Sequence, residues 1–328
     1  MNNISKKPFS KDILVISDIE AECNRIVTGI KETIVQRLNR HGGVIGISGG
    51  IDSAVTMVLV AKALGAGNVL GIMLPEKDSS RDSAVFAQNL ADKFGVKAIT
   101  EDITGALEGF GCYKRRDEAV KRVLPQYDPS VHKMKIGIKG TALFTNLPPI
   151  FSVTIVDSKG NEQSQRMPSA EFRQIEAASN FKQRCRMSML YYHAELLHYA
   201  VIGTPNKHEV EQGFFVKWGD GGADIMPIAH LYKTQVYQLS RYLEVPQEII
   251  DRTPTTDTYS AEQTQEEFFY QMPFHQMDLF WYAFKNNYSP EEVGKVMDKT
   301  TDEVIKVFAG FERKIKTTEY LRMAPVNI

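Results

Sequence analysis

Residues 44–64 read VIGISGGIDSAVTMVLVAKAL. The apolar run Val44 to Ile47 is followed by Ser48-Gly49-Gly50-Ile51-Asp52-Ser53 and then by the helix-like stretch Ala54 to Leu64. Strand, glycine-rich loop and helix in that order put backbone amides and the positive end of a helix where an anion can be held. Gly49 and Gly50 let the backbone approach an oxyanion, Ser48 and Ser53 add hydroxyl donors, and Asp52 suits a divalent cation. The loop has neither the GxxxxGK[ST] pattern nor the GxGxxG spacing of other nucleotide folds. Taken alone, the same letters also describe a plain glycine-rich strand-to-helix turn.

Working outward, Cys23, Ile26, Ile30, Ile34 and Leu38 recur at spacings of three and four, which predicts a helix between Ser17 and Arg40 capped by Ser17 or Asp18. On the other side, Asn68 to Leu74 reads as a buried strand, Asp82 to Phe94 as a helix and Val96 to Thr100 as the next strand. A helix from Phe181 to Tyr199 and a strand at Ala200 to Gly203 continue the alternation. Strands alternating with helices predict an α/β fold, a Rossmann-like parallel sheet flanked by helices. From Leu231 onward the pattern is helical, punctuated by Pro246, Pro254, Pro273 and Pro290.

One region breaks the rhythm. Between Asp128 and Ser179 lie Pro148-Pro149, the alternating FSVTIVD, the turn Ser158-Lys159-Gly160-Asn161 and the polar EQSQRM, which read as an inserted β-hairpin arm. The expected organisation is therefore 1–127 and 180–328 as two parts of one α/β domain with a helical C-terminal portion, and 128–179 as the arm.

With 328 residues, 43% hydrophobic and 24% charged, the chain can bury a sizeable core and is not disordered. Thirty-nine basic and forty acidic side chains give a net charge of -1, so no global field favours a nucleic acid or a membrane surface. Cys23, Cys112 and Cys185 form no CxxC pair, which points to a reducing, cytoplasmic setting without disulfides or a thiolate zinc site. No run approaches a membrane span, and MNNISKKPFS has no apolar core behind its lysines.

The stretch Gly46 to Ser53, GISGGIDS, resembles the signature loop of the N-type ATP pyrophosphatases, the adenine nucleotide alpha hydrolase-like fold. Further blocks narrow the resemblance to NAD synthetases of the ammonia-dependent type. They are Gly203-Thr204-Pro205-Asn206-Lys207-His208-Glu209, the run Gly213 to Asp224 (GFFVKWGDGGAD), and Asn180 to Met187 (NFKQRCRM). Pro227 to Gln235 and Pro254-Thr255 resemble later blocks of the same family.

The resemblance implies a magnesium-dependent ligase. ATP would adenylate the carboxylate of nicotinic acid adenine dinucleotide, and ammonia would displace AMP to give NAD. It implies that Gly46, Ile47, Ser48, Gly49, Gly50, Ile51, Asp52 and Ser53, with Thr204, Lys233 and Thr255, bind ATP, and that Asp52 and Lys233 are catalytic. Asp52 and Glu209 would hold Mg2+, while Arg184, Lys217 and Asp224 would contact the dinucleotide. It further implies a homodimer, and free ammonia or a separate donor protein, since no glutaminase motif surrounds any cysteine.

The sequence departs from the family at Gln271, where a glycine is usual, at Phe274 for a tyrosine, and at Leu321 for a lysine. These departures and the arm fall on the acceptor side. Two further readings therefore stay open, a paralogous ligase acting on another carboxylic acid and a non-catalytic nucleotide-binding protein. His208 and His230 are read as surface or packing residues. The aromatic run from Phe268 to Phe284 is read as helical core or subunit interface rather than a site.

Overall fold

The computed structural model describes residues 6–139, 150–256 and 258–327; Pro148-Pro149 lie outside them. The chain begins with α1 (Ile19–Lys31), whose N-terminus is capped by the Asp18 carboxylate accepting from the Ala21 amide at 2.9 Å. The periodic face of α1 continues through Ile34 in a wider π-helical turn at Glu32–Arg37. There follow β1 (Gly43–Gly46), α2 (Ile51–Leu64), β2 (Val69–Met73), α3 (Arg81–Phe94), β3 (Lys97–Thr100), α4 (Thr104–Gly109) and α5 (Cys112–Val123).

The arm comprises β4 (Lys133–Lys139), β5 (Ile150–Val156) and β6 (Glu162–Arg166), and it leads into α6 (Ser169–Leu197). After β7 (Ala200–Ile202) come α7 (Lys207–Gln212), α8 (Lys233–Tyr242), α9 (Gln247–Ile250), α10 (Phe274–Lys285), α11 (Pro290–Met297) and α12 (Thr301–Arg322). Pro246 and Pro273 are the residues capping α9 and α10, and Pro290 opens α11, where a missing amide costs nothing.

The main sheet is parallel throughout, in the order β3-β2-β1-β7. From β1 the chain moves outward to β2 and β3, then returns to place β7 on the other flank of β1. The reversal opens a crevice at the carboxyl ends of β1 and β7, where open α/β sheets bind ligands. Helix α2 is buried on nearly every face, packed between the sheet and helices α1 and α8, which explains its almost uninterrupted apolar sequence.

The C-terminal helices enclose a second core built on Trp281, Tyr270, Phe280 and Phe311, so the aromatic run is packing. A third body of packing joins the arm to α5 and α6 through Val120, Leu124, Met134, Val153 and Ile175.

Two elements differ from expectation. The arm is a three-stranded antiparallel sheet, because Lys133–Lys139 pairs with β5 on the side away from β6. Its sequence KMKIGIK alternates, burying Met134 and Ile136, but lysines at every other place conceal a strand with one wet face. Helix α6 starts at Ser169 rather than near Phe181, so it runs unbroken across positions 179 and 180.

Candidate functional site

Three chain segments meet at the crevice. The first is the loop after β1. Gly49 has φ +70, and a Cβ there would lie 2.6 Å from the Ser83 carbonyl oxygen, so only glycine fits. Gly50 caps α2 and leaves the amides of its first turn facing the crevice. The Ser53 hydroxyl donates to the Gly50 carbonyl at 2.9 Å and lies 3.2 Å from the Ser48 hydroxyl, which holds the loop in shape.

The second segment follows β7. Asn206 caps α7, its side chain accepting from the His208 amide at 3.0 Å, while the Glu209 carboxylate accepts from the Asn206 amide at 2.8 Å. This reciprocal cap fixes Glu209 in the first turn of a short helix. The third segment is the start of α8, where Lys233 is wholly buried and ion-paired to Asp52. The other Asp52 oxygen accepts from Asn206 Nδ2 at 3.2 Å, so one carboxylate touches both neighbouring segments.

A buried carboxylate ties the last two segments together. Asp278 on α10 accepts from the Thr234 amide at 2.7 Å through one oxygen and contacts His208 Nε2 at 2.5 Å through the other. With the Gln212 amide donating to His208 Nδ1 at 2.9 Å, the Nε2 nitrogen carries the proton. Asp278 and His208 are both fully buried, and each sits beside a site residue, Lys233 or Glu209, in the chain. His208 is thus a packing histidine, as read from the sequence. His230 instead faces Glu22 and Arg25 at the surface.

Asp52, Glu209, Lys233, Thr204 and Thr255 share one cavity of about 150 Å³ with Ser48, Gly50, Ile51 and Ser53. Gly46, Ile47, Arg184 and Lys217 line an adjoining cavity of about 740 Å³, and Ser48, Thr204, Glu209 and Thr255 border both. Burial and the neighbouring Asp52 charge push the Glu209 carboxyl up to about 8, against the pull of Lys233. Burial draws the Lys233 ammonium down, but Asp52 and Glu209 outweigh it and hold the group above the usual lysine range.

Asp224 is not brought to either cavity lining. Its carboxylate accepts from the Val201 amide at 2.8 Å and from the Tyr191 hydroxyl at 3.1 Å. Lys217 donates to the carbonyls of Tyr320 and Met323 at 2.9 and 2.8 Å, fastening the segment that carries Leu321. Arg184 Nε reaches the Lys217 carbonyl at 3.4 Å. Gln271 sits in the left-handed region at φ +59, which is why glycine is at home in that position.

Sequence reasoning missed several residues that the geometry brings in. Arg252 donates to the Gly49 carbonyl at 3.4 Å and to the Ser83 hydroxyl at 2.9 Å, and lines the smaller cavity. Asp220 borders both cavities, accepts from the Val216 amide at 2.7 Å, and has its carboxyl pushed up to about 6 by burial. Lys182, buried beside the larger cavity, donates to Glu76, Asp78 and the Thr258 carbonyl at 2.9, 2.8 and 2.9 Å. The NFKQRCRM block contained that lysine, and an internal charge beside a nucleotide loop was the available signal.

The donor set fits Mg2+, which takes one or two protein carboxylates and draws its other ligands from phosphate and water. Asp52 and Glu209 are two such carboxylates, and the raised Glu209 carboxyl marks negative charge that Lys233 alone does not offset. Among the described residues no three His, Cys, Asp or Glu side chains are grouped to cage a metal, which suits an ion arriving with a nucleotide.

Fold and site together define a Rossmann-like α/β protein with an anion cradle at the switch point of a parallel sheet. The NAD synthase family model matches residues 22–125 and 142–325, and the chain belongs to that family. The NH(3)-dependent NAD(+) synthetase of Rhizobium meliloti (strain 1021) is 45% identical over 317 residues, 97% of this chain and 94% of the relative. A protein of the same description from Methanocaldococcus jannaschii is 31% identical, over 94% of this chain and 96% of its own. Two solved structures share the fold. The NMN synthetase of Francisella tularensis has a TM-score of 0.64 at 22% identity, with 95% of this chain and 99% of that one covered. The NH3-dependent NAD synthetase of Campylobacter jejuni has a TM-score of 0.62 at 20% identity, with 95% and 100% covered.

Proposed function

We propose that this chain is an ammonia-dependent NAD synthetase. ATP adenylates the nicotinate carboxylate of nicotinic acid adenine dinucleotide with release of pyrophosphate, and ammonia then displaces AMP to form the amide of NAD. The observation carrying the reading is the convergence of Asp52, Glu209 and Lys233 on the helix-start loop, in a chain 45% identical to a protein of that description.

Each residue has a physical task. The amides of the α2 first turn, with Ser48 and Ser53, hold the departing phosphates by hydrogen bonds that strengthen as charge builds on them. Lys233 adds a buried cation beside them, and Arg252 braces the loop from the far side through Gly49 and Ser83. Thr204 and Thr255 offer hydroxyls along the ATP path. Asp52 and Glu209 would hold Mg2+, which supplies charge neutralisation at the leaving pyrophosphate. Arg184 and Lys217, on the larger cavity, suit the acceptor's phosphates.

The nucleophile reaches the site largely as ammonium and must give up a proton. Asp220, at the junction of the cavities with its carboxyl raised to about 6, is suited to accept it. A direct contact of Asp224 with the dinucleotide would require it to exchange its bonds to Val201 and Tyr191.

We keep 128–179 as an inserted arm on an α/β domain formed by 1–127 and 180–328. The working form is a homodimer, the setting cytoplasmic, and the nitrogen donor free ammonia or a separate protein. No helix among the described residues is long and apolar enough to cross a membrane. A second reading, amidation of another carboxylic acid, is favoured by Leu321 alone, an apolar residue on the acceptor cavity where the family has a cation.

The test is turnover with Mg2+, ATP, ammonium and a panel of acids, following NAD, AMP and pyrophosphate. NAD formed only from the deamido dinucleotide is the expected result. Product from a different acid would select the second reading, and ADP with orthophosphate would refute both.

A further inference from the structure

The larger cavity extends well past the crevice. Its longest wall is α6, which presents Phe172, Glu176, Ser179, Gln183, Met187 and Leu190 to it at spacings of three and four, one stripe of the helix. From Phe172 to Leu190 the stripe rises roughly 27 Å. Leu190 marks the end at the main sheet, since a Cβ on Gly46 would be 3.6 Å from it. The Phe172 end lies beneath the arm, where Ile136 and Gly137 of β4 and Phe151 of β5 complete the lining. Position 136 falls within 126–141, which the family model leaves unmatched, so the shared family pattern does not specify this lobe.

The lobe combines a flat aromatic surface with unused hydrogen-bonding groups. Phe151 and Phe172 are stacked with ring centroids 3.8 Å apart. Glu176 makes no hydrogen bond or ion pair among the described residues, and burial raises its carboxyl above the usual range. Ser179 is 3% exposed, and its hydroxyl forms no hydrogen bond of normal geometry, with the Tyr259 phenol beside it. The Thr256 hydroxyl, also on the cavity, is buried without a partner. Buried polar groups are normally paired, so a row of unpaired ones along a cavity wall marks where a ligand's donors belong.

We propose that this arm-covered lobe is a nucleoside subsite in which Glu176 accepts hydrogen bonds from a ribose diol and the Phe151–Phe172 pair packs against the base. The inference rests on the synthetase reading above and adds the residues that select its substrate. An adenosine has the required chemistry, and it has two sources, ATP and the acceptor dinucleotide. The wall is long enough to seat two nucleotides end to end, the phosphate loop fixing one and the arm receiving the outer nucleoside.

Steady-state kinetics of wild type, Glu176→Gln and Phe151→Ala, each with ATP and the deamido dinucleotide varied in turn, test the assignment. Glu176→Gln keeps the side-chain shape and is expected to raise one KM about tenfold while kcat stays within twofold. A rise confined to ATP identifies its adenosine as the occupant. A rise confined to the dinucleotide identifies the acceptor's, and nicotinic acid mononucleotide, lacking that nucleoside, then shows no difference between variant and wild type. Phe151→Ala is expected to move the same KM. Thermal melts of the variants separate a lost subsite from a lost fold. If both KM values stay within twofold in a folded Glu176→Gln, the subsite assignment is wrong while the synthetase reading stands. Wild-type protein that forms no NAD would remove the reading itself, and the subsite with it.

Discussion

Lys233 is held between two carboxylates in a place that water scarcely reaches, so its removal has two separable consequences. Lys233→Met leaves Asp52 and Glu209 together without their cation, and breaking a buried pair of this kind costs about 3–5 kcal/mol. Activity is expected to fall by at least ~10²-fold, as for the loss of a charge that faces a leaving group. Pyrophosphate release reads the second effect and calorimetry the first. Asp52→Asn keeps the size of the side chain and the bond from Asn206 but removes the charge; it should retain the fold and lose pyrophosphate release. Turnover at wild-type rate would remove Asp52 from the metal assignment. Most of these residues were legible, since Asp52, Glu209 and Lys233 stand in ordered blocks around glycines whose local geometry is demanding. Arg252 and Asp278 were not. They reach the site from distant segments, by bonds to a Gly49 carbonyl and a Thr234 amide, and nothing local in a sequence announces a partner about two hundred or forty-four residues away.

At the scale of elements, the site depends on how α7, α8 and α10 are locked. Asp278 is the pin, and Asp278→Asn removes its charge while preserving its outline. The expected result is a fall of ~10–100-fold in kcat, the range for loss of an outer support, with the KM for the acceptor unchanged. A purely structural role would lower the melting temperature and leave kcat of the folded fraction intact. Helix α12 makes a different prediction. Lys314 is packed over the Phe269 ring and donates to its carbonyl at 3.0 Å, and burial pushes its ammonium down to about 7. The folded state then binds fewer protons than the unfolded chain between about pH 7 and the ordinary lysine value, so stability rises with pH across that window. Lys314→Met should flatten the rise, which melting temperatures of both proteins at several pH values between 7 and 10 would reveal. The elements of the parallel sheet were legible because they are buried on both faces and read as apolar runs. Strand β4 and the first turns of α6 were not, because each has one face on the arm's small core and the other in water or in the cavity, and lysines, glutamates and glutamine mask the period.

For the whole molecule, the unanswered packing problem lies on the far end of α6. Tyr192, Leu196 and Leu197 are exposed there, Leu196 by 67%, and Trp218 in the neighbouring loop is 55% exposed. That loop runs along α6, since a Cβ on Gly219 would lie 2.9 Å from Gln183 and Asp224 bonds Tyr191. Large apolar side chains gathered on one surface of a soluble chain mark a contact with another molecule. A second copy is the partner that matches the expected homodimer, because the same loop carries Lys217, which is proposed to meet the acceptor. A contact through this loop would couple assembly to acceptor binding. Leu196→Glu substitutes an exposed position, so its monomer should fold with a melting temperature close to that of wild type. It should sediment as a monomer where wild type sediments as a dimer, and its KM for the deamido dinucleotide should rise while ATP binding is retained. A dimer that survives Leu196→Glu together with Tyr192→Asp would place the subunit contact on a different face and leave Lys217 to meet the acceptor within a single chain.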